Sequence, residues 1–197
     1  MASILKVDTI QDQSGNNIIN ENADTITIGA SGDTITIPTG ASLTVPSGGL
    51  SGQNYPAFEV YLNSNQSISA STYTKVQYNT EILDTDSCYD NATNYRFTPT
   101  VSGYYYLEAQ IMLVNSSADF QSFNIRITKN GSDISNIDRN FAGTYFDAGA
   151  GQGLNVSVIS QANGSTDYFE VQGISSGTSS VFYGTTGTSF RGYRIGA

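Results

Sequence analysis

The stretch that decides the fold is Tyr95–Leu113, YRFTPTVSGYYYLEAQIML. Within Tyr105–Leu113 every second residue is apolar or aromatic, and Glu and Gln stand between them. A period of two places alternate side chains on opposite faces, so this pattern predicts a half-buried strand. Pro99 lacks a backbone donor and Ser102-Gly103 allows a tight turn, so the short strand before them is expected to reverse into the long one.

This stretch also carries a family resemblance. An aromatic-Thr-x-x-Val-x-Gly-x-Tyr-x-Leu spacing is formed by Phe97, Thr98, Val101, Gly103, Tyr105 and Leu107. It resembles the signature of C1q-like (tumour necrosis factor-like) jelly rolls. Further segments match the same family in the same order: Ala57–Val60, Val76–Asn79, Cys88–Asp90, Ile127–Gly131 and Ser189–Ile195. The resemblance covers roughly Tyr55 to Ala197 and implies an all-β jelly-roll sandwich that assembles as a homotrimer.

Strand patterns elsewhere agree with a two-sheet jelly roll. Alternating or aromatic-rich segments predict about nine strands, at Phe58–Leu62, Thr74–Tyr78, Tyr95–Thr98, Tyr104–Leu113, Phe123–Ile127, Leu154–Val158, Tyr168–Val171, Ser180–Tyr183 and Phe190–Ile195. Asn-Gly pairs at 130–131 and 163–164 predict tight turns between strands. We therefore assign residues 55–197 to a jelly-roll head.

Composition narrows the possible functions. The 197 residues include 17 acidic and 8 basic ones, a net charge of −9, which argues against nucleic-acid binding because that needs clustered Lys and Arg. The chain has no histidine, which excludes Ser-His-Asp and Cys-His catalysis. Neither a secretory signal nor an apolar run of membrane-span length is visible, so we expect no membrane insertion. The single cysteine, Cys88, is interpreted as a small apolar residue of a protein made in a reducing cytoplasm.

Residues 1–23 form the first of two segments before the head. A turn at Ser14–Asn17 separates β-branched apolar pairs and predicts two short strands. The order Lys-Val-Asp-Thr-Ile-x-Asp-x-x-Gly-Asn at residues 6–16 resembles the opening of structural proteins from marine tailed bacteriophages. This resemblance implies a virion-attachment or trimerisation segment that contacts other virion proteins.

Residues 24–54 begin with a nine-residue repeat, in units that start at Asp24, Asp33 and Ser42. Each unit has two apolar residues two apart, followed by turn residues. Because one unit is too small to bury these residues, burial must come from stacking and from other copies of the chain. The repeat predicts a short-stranded β fibrous shaft of three chains, and the alternative is a flexible linker. The glycine-rich segment Ser47–Asn54 marks the boundary with the head.

The aromatic residues suggest a contact between protomers. Tyr104 and Tyr106 alternate with core-facing residues and are expected to point away from the core. In the proteins that the chain resembles, three protomers pack through aromatic residues of this sheet. The resemblance thus implies a trimer interface at Tyr104 and Tyr106, and the alternative is that they cover the outer edge of the sandwich.

Loops are the expected place for recognition on such a scaffold. We interpret Asn115–Phe120 and Ser132–Gly153 as loops. The second contains charged and aromatic groups suited to a glycan or a protein epitope, and its receptor-binding candidates are Asp138, Arg139, Tyr145 and Asp147.

A calcium site is an alternative explanation for one acidic cluster. Asp84 and Asp86, with Asp90 close by, offer carboxylate oxygens of the kind that Ca²⁺ accepts, but they lack the glycine and bidentate glutamate of an EF-hand loop. Acidic turns are common, so we predict no cofactor and no resident metal.

Together these features predict a non-enzymatic structural virion protein of a tailed bacteriophage. It would be a homotrimeric short fibre or spike whose head binds a host cell-surface glycan or protein. One alternative is a capsid-decorating or neck/tail protein without receptor binding, and another is a cellular C1q-like adhesin. A polysaccharide depolymerase would need a carboxylate pair, but the glutamates of the head fall on separate predicted strands, at Glu59, Glu81, Glu108 and Glu170.

Overall fold

The computed structural model describes residues 9–11, 13–15, 17–22, 25–28, 31–42, 55–115, 121–140 and 151–196. Within these ranges all regular secondary structure consists of β-strands, so the all-β prediction is confirmed. No helix in the described ranges is long and apolar enough to cross a membrane. The chain divides into two compact units, Met1–Leu50 and Ser51–Ala197.

The first unit contains a small antiparallel sheet with strand order β1-β2-β3. Its strands are β1 (Thr9–Gln11), β2 (Asn17–Asn22) and β3 (Thr25–Ile28). β1 and β2 flank the predicted turn. The strand register places Ile10 opposite Ile19 and Ile19 opposite Ile28. The register thus lines up one isoleucine from each strand in a row across the sheet.

The repeat is only partly built from strands. The first nine-residue repeat contributes β3. In the second nine-residue repeat, residues 33–38 belong to no strand, contrary to the prediction. Ile35 and Ile37 are both exposed there. Most of the third unit lies outside the described residues.

The second unit is the head, and it contains two sheets. The larger, seven-stranded sheet consists of β4 (Ala57–Leu62), β5 (Gln66–Ser67), β7 (Thr80–Asp84), β10 (Ser102–Asn115), β13 (Gly151–Asn163), β15 (Ser180–Phe182) and β16 (Thr185–Gly196). The smaller, six-stranded sheet consists of β6 (Thr74–Lys75), β8 (Tyr89–Asp90), β9 (Arg96–Phe97), β11 (Ser122–Lys129), β12 (Ser132–Asn140) and β14 (Phe169–Ser175). β10 is central in the larger sheet, because it pairs with β13 on one side and with β16 and β15 on the other.

The core lies between the two sheets. Phe58 of β4 stacks on Phe97 of β9 with ring centroids 4.1 Å apart, and it meets Phe190 of β16 edge-on at 4.9 Å. The Phe58–Phe97 contact joins the larger sheet to the smaller one, and the Phe58–Phe190 contact packs neighbouring strands of the larger sheet. Alternate residues of β10 from Tyr105 to Leu113 are at most 1% exposed. The half-buried strand predicted from the alternation is therefore confirmed.

The predicted corner moves the chain from one sheet to the other. β9 ends in the smaller sheet at Phe97, and β10 begins in the larger sheet at Ser102. The Tyr105 hydroxyl donates a hydrogen bond to the carbonyl oxygen of Val101 at 2.6 Å, which ties the corner to the central strand. Gly103 has φ 147°, and a Cβ there would overlap the carbonyl oxygen of Gly196. Only glycine fits this position without strain.

Two predicted segments differ from the structure. Of the strand predicted at Thr74–Tyr78, only Thr74–Lys75 forms a strand, although Val76 and Tyr78 are buried in the core. The loop predicted over Ser132–Gly153 is wrong at both ends, because Gly151–Gly153 belong to β13 and Ser132–Asn140 form β12 against β11. Polar residues occupy that strand because it lies at the edge of the sheet.

Candidate functional site

The outer surface of the larger sheet carries large side chains. Residues that alternate with the core positions of β10, β13 and β16 point away from the core. In the strand register, Ile159 of β13, Tyr106 of β10 and Tyr193 of β16 lie side by side. The rings of Tyr106 and Tyr193 are 5.7 Å apart, and Ile159 is 60% exposed. We refer to this surface as the aromatic face, and it is formed by Tyr104, Tyr106, Ile159, Tyr193 and Ile195.

A polar row borders the aromatic face. Glu108 accepts hydrogen bonds from the Tyr106 hydroxyl and from Asn155 Nδ2, both at 3.0 Å. The hydrogen bond to Glu108 raises the pKa of Tyr106, because the carboxylate accepts the phenol proton. On the next strand, Arg191 lies 3.7 Å from Glu59. Arg191 Nε is buried and has no hydrogen-bond partner among the described residues.

The aromatic face has the composition of a contact surface. Exposed aromatic residues beside a few polar groups are typical of protein interfaces, and contiguous apolar patches on soluble proteins mark interaction sites. Tyr104 and Tyr106 lie on the outer side of β10, as the alternation predicted. This face is compatible with self-association, and the trimer interface at these tyrosines stays a prediction.

The sequence reasoning did not single out three members of this face. Tyr193 and Ile195 alternate with the core residue Phe190 and with Gly192, and Ile159 alternates with the half-buried Val158. The same period of two that identified Tyr104 could have placed them on the outer surface.

The four receptor-binding candidates fall in two places. Asp138 and Arg139 stand on the edge strand β12, at register positions opposite Asn124 and Phe123 of β11. They are therefore not loop residues, contrary to the prediction. Tyr145 and Asp147 lie outside the described residues, as does most of the loop predicted at Asn115–Phe120. The receptor-binding role of all four stays a prediction.

The acidic residues of the calcium alternative are held by separate local contacts. Asp84 accepts hydrogen bonds from the backbone N–H groups of Cys88 at 3.1 Å and Tyr89 at 2.9 Å. Asp86 accepts one from Thr100, and Asp90 caps its own turn. In the described part of the chain, no three acidic, cysteine or histidine side chains come together to hold a metal ion.

Cys88 is a buried free thiol. Burial, with Asp84 as the next cause, raises its pKa to about 12. A thiol that stays protonated is a poor nucleophile, so this environment fits the interpretation of Cys88 as a small apolar residue.

Comparison with solved structures identifies the architecture. The chain superimposes on Eiger TNF from S. frugiperda with a TM-score of 0.55 at 10% identity, over 72% of this chain and 93% of that chain. It superimposes on murine APRIL (pH 8.0) with a TM-score of 0.53 at 12% identity, over 70% of this chain and 97% of that chain. The head is a C1q/TNF-like jelly-roll sandwich. Because the sequence identities are only 10% and 12%, the similarity of the TNF-like head to these structures establishes its fold and nothing further. No protein-family model and no curated protein matches the chain.

Proposed function

We propose that the chain is a non-enzymatic virion protein of a tailed bacteriophage, a homotrimeric short fibre or spike whose TNF-like head binds the host surface. The observation that supports the homotrimer in this proposal is the aromatic face. Five large side chains share the outer side of three neighbouring strands, and four of them are exposed. Burying the exposed half of such a side chain stabilises an assembly by roughly 1 kcal/mol. Three copies around one axis would cover the face on every protomer.

The first unit provides a second line of support for a trimer, separate from the aromatic face. Its three short strands carry the isoleucine row Ile10, Ile19 and Ile28, and all three side chains are exposed. A sheet of this size needs a covered hydrophobic face to be stable. Three chains that pack their isoleucine rows together would supply that cover and hold the first units of the trimer together.

The virion role rests on the resemblance of residues 6–16 to phage structural proteins. In this proposal residues 1–23 attach the trimer to other virion proteins, and the head binds the host surface. Three weak sites on one rigid trimer engage a surface together, so their avidity exceeds the affinity of one site. Strong single-site affinity is then unnecessary for attachment.

Light scattering on the purified full chain tests the assembly. A trimer has a mass of about 63 kDa, three times the 21.0 kDa of one chain. A monomer at micromolar concentration would contradict the homotrimer and remove the avidity argument.

Immunogold labelling of purified phage particles tests the virion role. We expect labels at fibre or spike positions, and we expect the purified trimer to bind host cells. Labels on the capsid or neck, with no cell binding, would instead support the decorating-protein alternative. Particles without label would contradict both.

A further inference from the structure

A depression lies on the outer surface of the smaller sheet, on the opposite side of the sandwich from the aromatic face. It encloses about 250 Å³. It is lined by Ser71, Tyr73, Ser122, Asn124, Ile174 and Ser176. The β5–β6 connection supplies the first two residues, β11 supplies Ser122 and Asn124, and β14 with the residue after it supplies the last two.

The Tyr73 ring is held rigidly beside this depression. Its hydroxyl donates a hydrogen bond to Asn124 Oδ1 at 2.9 Å. The Arg126 guanidinium lies over the ring, 3.5 Å from the ring centroid. Arg126 is itself fixed by Asp133 at 2.8 Å and by Gln172 at 2.6 Å. Arg126 covers one face of the ring and does not itself line the depression. A preorganised ring binds a ligand without further loss of side-chain freedom.

Around the ring, the depression offers hydroxyl and amide groups. Ser176 Oγ accepts the backbone N–H groups of Gln121 at 2.7 Å and Ser122 at 2.9 Å, which leaves its own proton to donate. Asn124 uses Oδ1 for Tyr73, and its Nδ2 donates to none of the described residues. The hydroxyls of Ser71 and Ser122 add groups that donate and accept. Ile174 supplies an apolar contact next to them.

We propose that this depression is a binding subsite for one neutral pyranose ring of a surface glycan. A pyranose has an apolar C–H face suited to an aromatic ring and a rim of hydroxyls that donate and accept. The volume is below the roughly 300–1,000 Å³ of pockets for drug-sized ligands, which suits a single sugar ring. A neutral sugar is favoured because the described residues that line the depression carry no charge and the nearby Arg126 is paired with Asp133.

The position of the subsite fits the trimer. If the aromatic faces meet around the trimer axis, the outer surface of the smaller sheet stays free on every protomer. The inference thus rests on the proposed host-surface role and names the chemistry that the head would recognise. One ring of about a dozen heavy atoms is expected to bind with a Kd on the order of 1 mM. Three subsites together would raise the avidity.

Saturation-transfer NMR on the full chain tests the subsite. The probes are methyl α-glucoside, methyl α-mannoside and methyl β-galactoside, each at several millimolar. We expect transfer to the ring C–H protons of at least one probe. Tyr73→Ala should weaken its binding by about tenfold or more, because the stacking surface is lost. Ser122→Arg should abolish it by filling the depression while leaving the ring in place. The matched control is Tyr183→Ala, since Tyr183 is also exposed but belongs to the other side of the sandwich.

The outcomes separate this inference from the proposed function. Absence of transfer from all three probes, or transfer that persists in both Tyr73→Ala and Ser122→Arg, would overturn the subsite. If the wild-type trimer then still bound host cells, only the subsite would be wrong. Saccharide binding by the wild type that both variants remove would support the subsite. If the wild type nevertheless failed to bind host cells, only the proposed host attachment would be contradicted.

Discussion

Tyr106 on β10 lies directly opposite Ile159 on β13, at the centre of the aromatic face. Ile159→Glu should therefore separate the protomers, because a carboxylate at a buried interface loses its hydration without gaining a partner. The fold of one protomer should tolerate the change, since Ile159 is exposed there. We expect light scattering to give about 21 kDa, the mass of one chain. Ile137→Glu on the edge strand β12 is the control and should remain trimeric. A trimeric Ile159→Glu would show that the aromatic face is not needed to hold the trimer together.

Ile19 stands at the centre of the isoleucine row in the first unit, between Ile10 and Ile28. Ile19→Asp should prevent the rows of three chains from packing together. Limited proteolysis should then remove the first unit several times faster than in the wild type, with the head left intact. Thr36→Asp adds the same charge at an exposed polar position and should leave the rate unchanged. Equal rates for Ile19→Asp and the wild type would indicate that the row is not an interface.

Gly164 and Gly131 form a matched pair of turn glycines, with φ of 73° and 81°. A Cβ at Gly164 would overlap the backbone of Ser102, whereas a Cβ at Gly131 would come no closer than 4.0 Å to its nearest neighbour. Gly131→Ala should cost about 1–2 kcal/mol of the free energy of unfolding, from backbone strain alone. Gly164→Ala should cost roughly 3 kcal/mol or more, because displacement of the chain adds to the strain. Urea denaturation measures both, and equal losses would contradict the steric argument.

Cys88 should be unreactive in the native protein. Its side chain is buried and its pKa is raised to about 12, so almost no thiolate exists at pH 8. We expect iodoacetamide to modify the unfolded chain within minutes and the native chain more than a hundred times more slowly. Samples are alkylated with or without urea and quenched at intervals, and mass spectrometry gives the two rates of modification. Rapid modification of the native chain would show that the thiol is accessible.

Asp90 should contribute to stability in a pH-dependent way. Backbone hydrogen bonds from Thr93 and Ala92 to its carboxylate lower its pKa from 3.8 to about 2. A folded-state pKa below the unfolded one stabilises the protein above the unfolded pKa, and this stabilisation is lost as the pH falls through the folded value. The urea midpoints of the wild type and Asp90→Ala should therefore differ by a constant amount above pH 5 and converge between about pH 4 and pH 2. A difference that does not change with pH would contradict the role of the charge.

The sequence by itself determined the strands with a strong pattern and the turns between them. β10, β11 and β13 alternate between apolar and polar residues along much of their length, so the burial of their core-facing residues follows from a period of two. The Asn130-Gly131 turn follows from backbone preference, because both residues have positive φ, 52° and 81°. Such signals are local and need no knowledge of the partner strand.

The tertiary structure alone decided the edge strands and the two candidate surfaces. β7 and β12 have sequences without clear alternation, TEILD and SDISNIDRN. They are strands because β4 and β11 offer them unpaired backbone groups, and those groups need partners wherever they are shielded from water. The aromatic face joins residues from 104 to 195, and the saccharide subsite joins residues from 71 to 176. Such groupings depend on which strands become neighbours. That choice is made by the burial of the whole core, since no local pattern specifies which distant strand a segment will pair with.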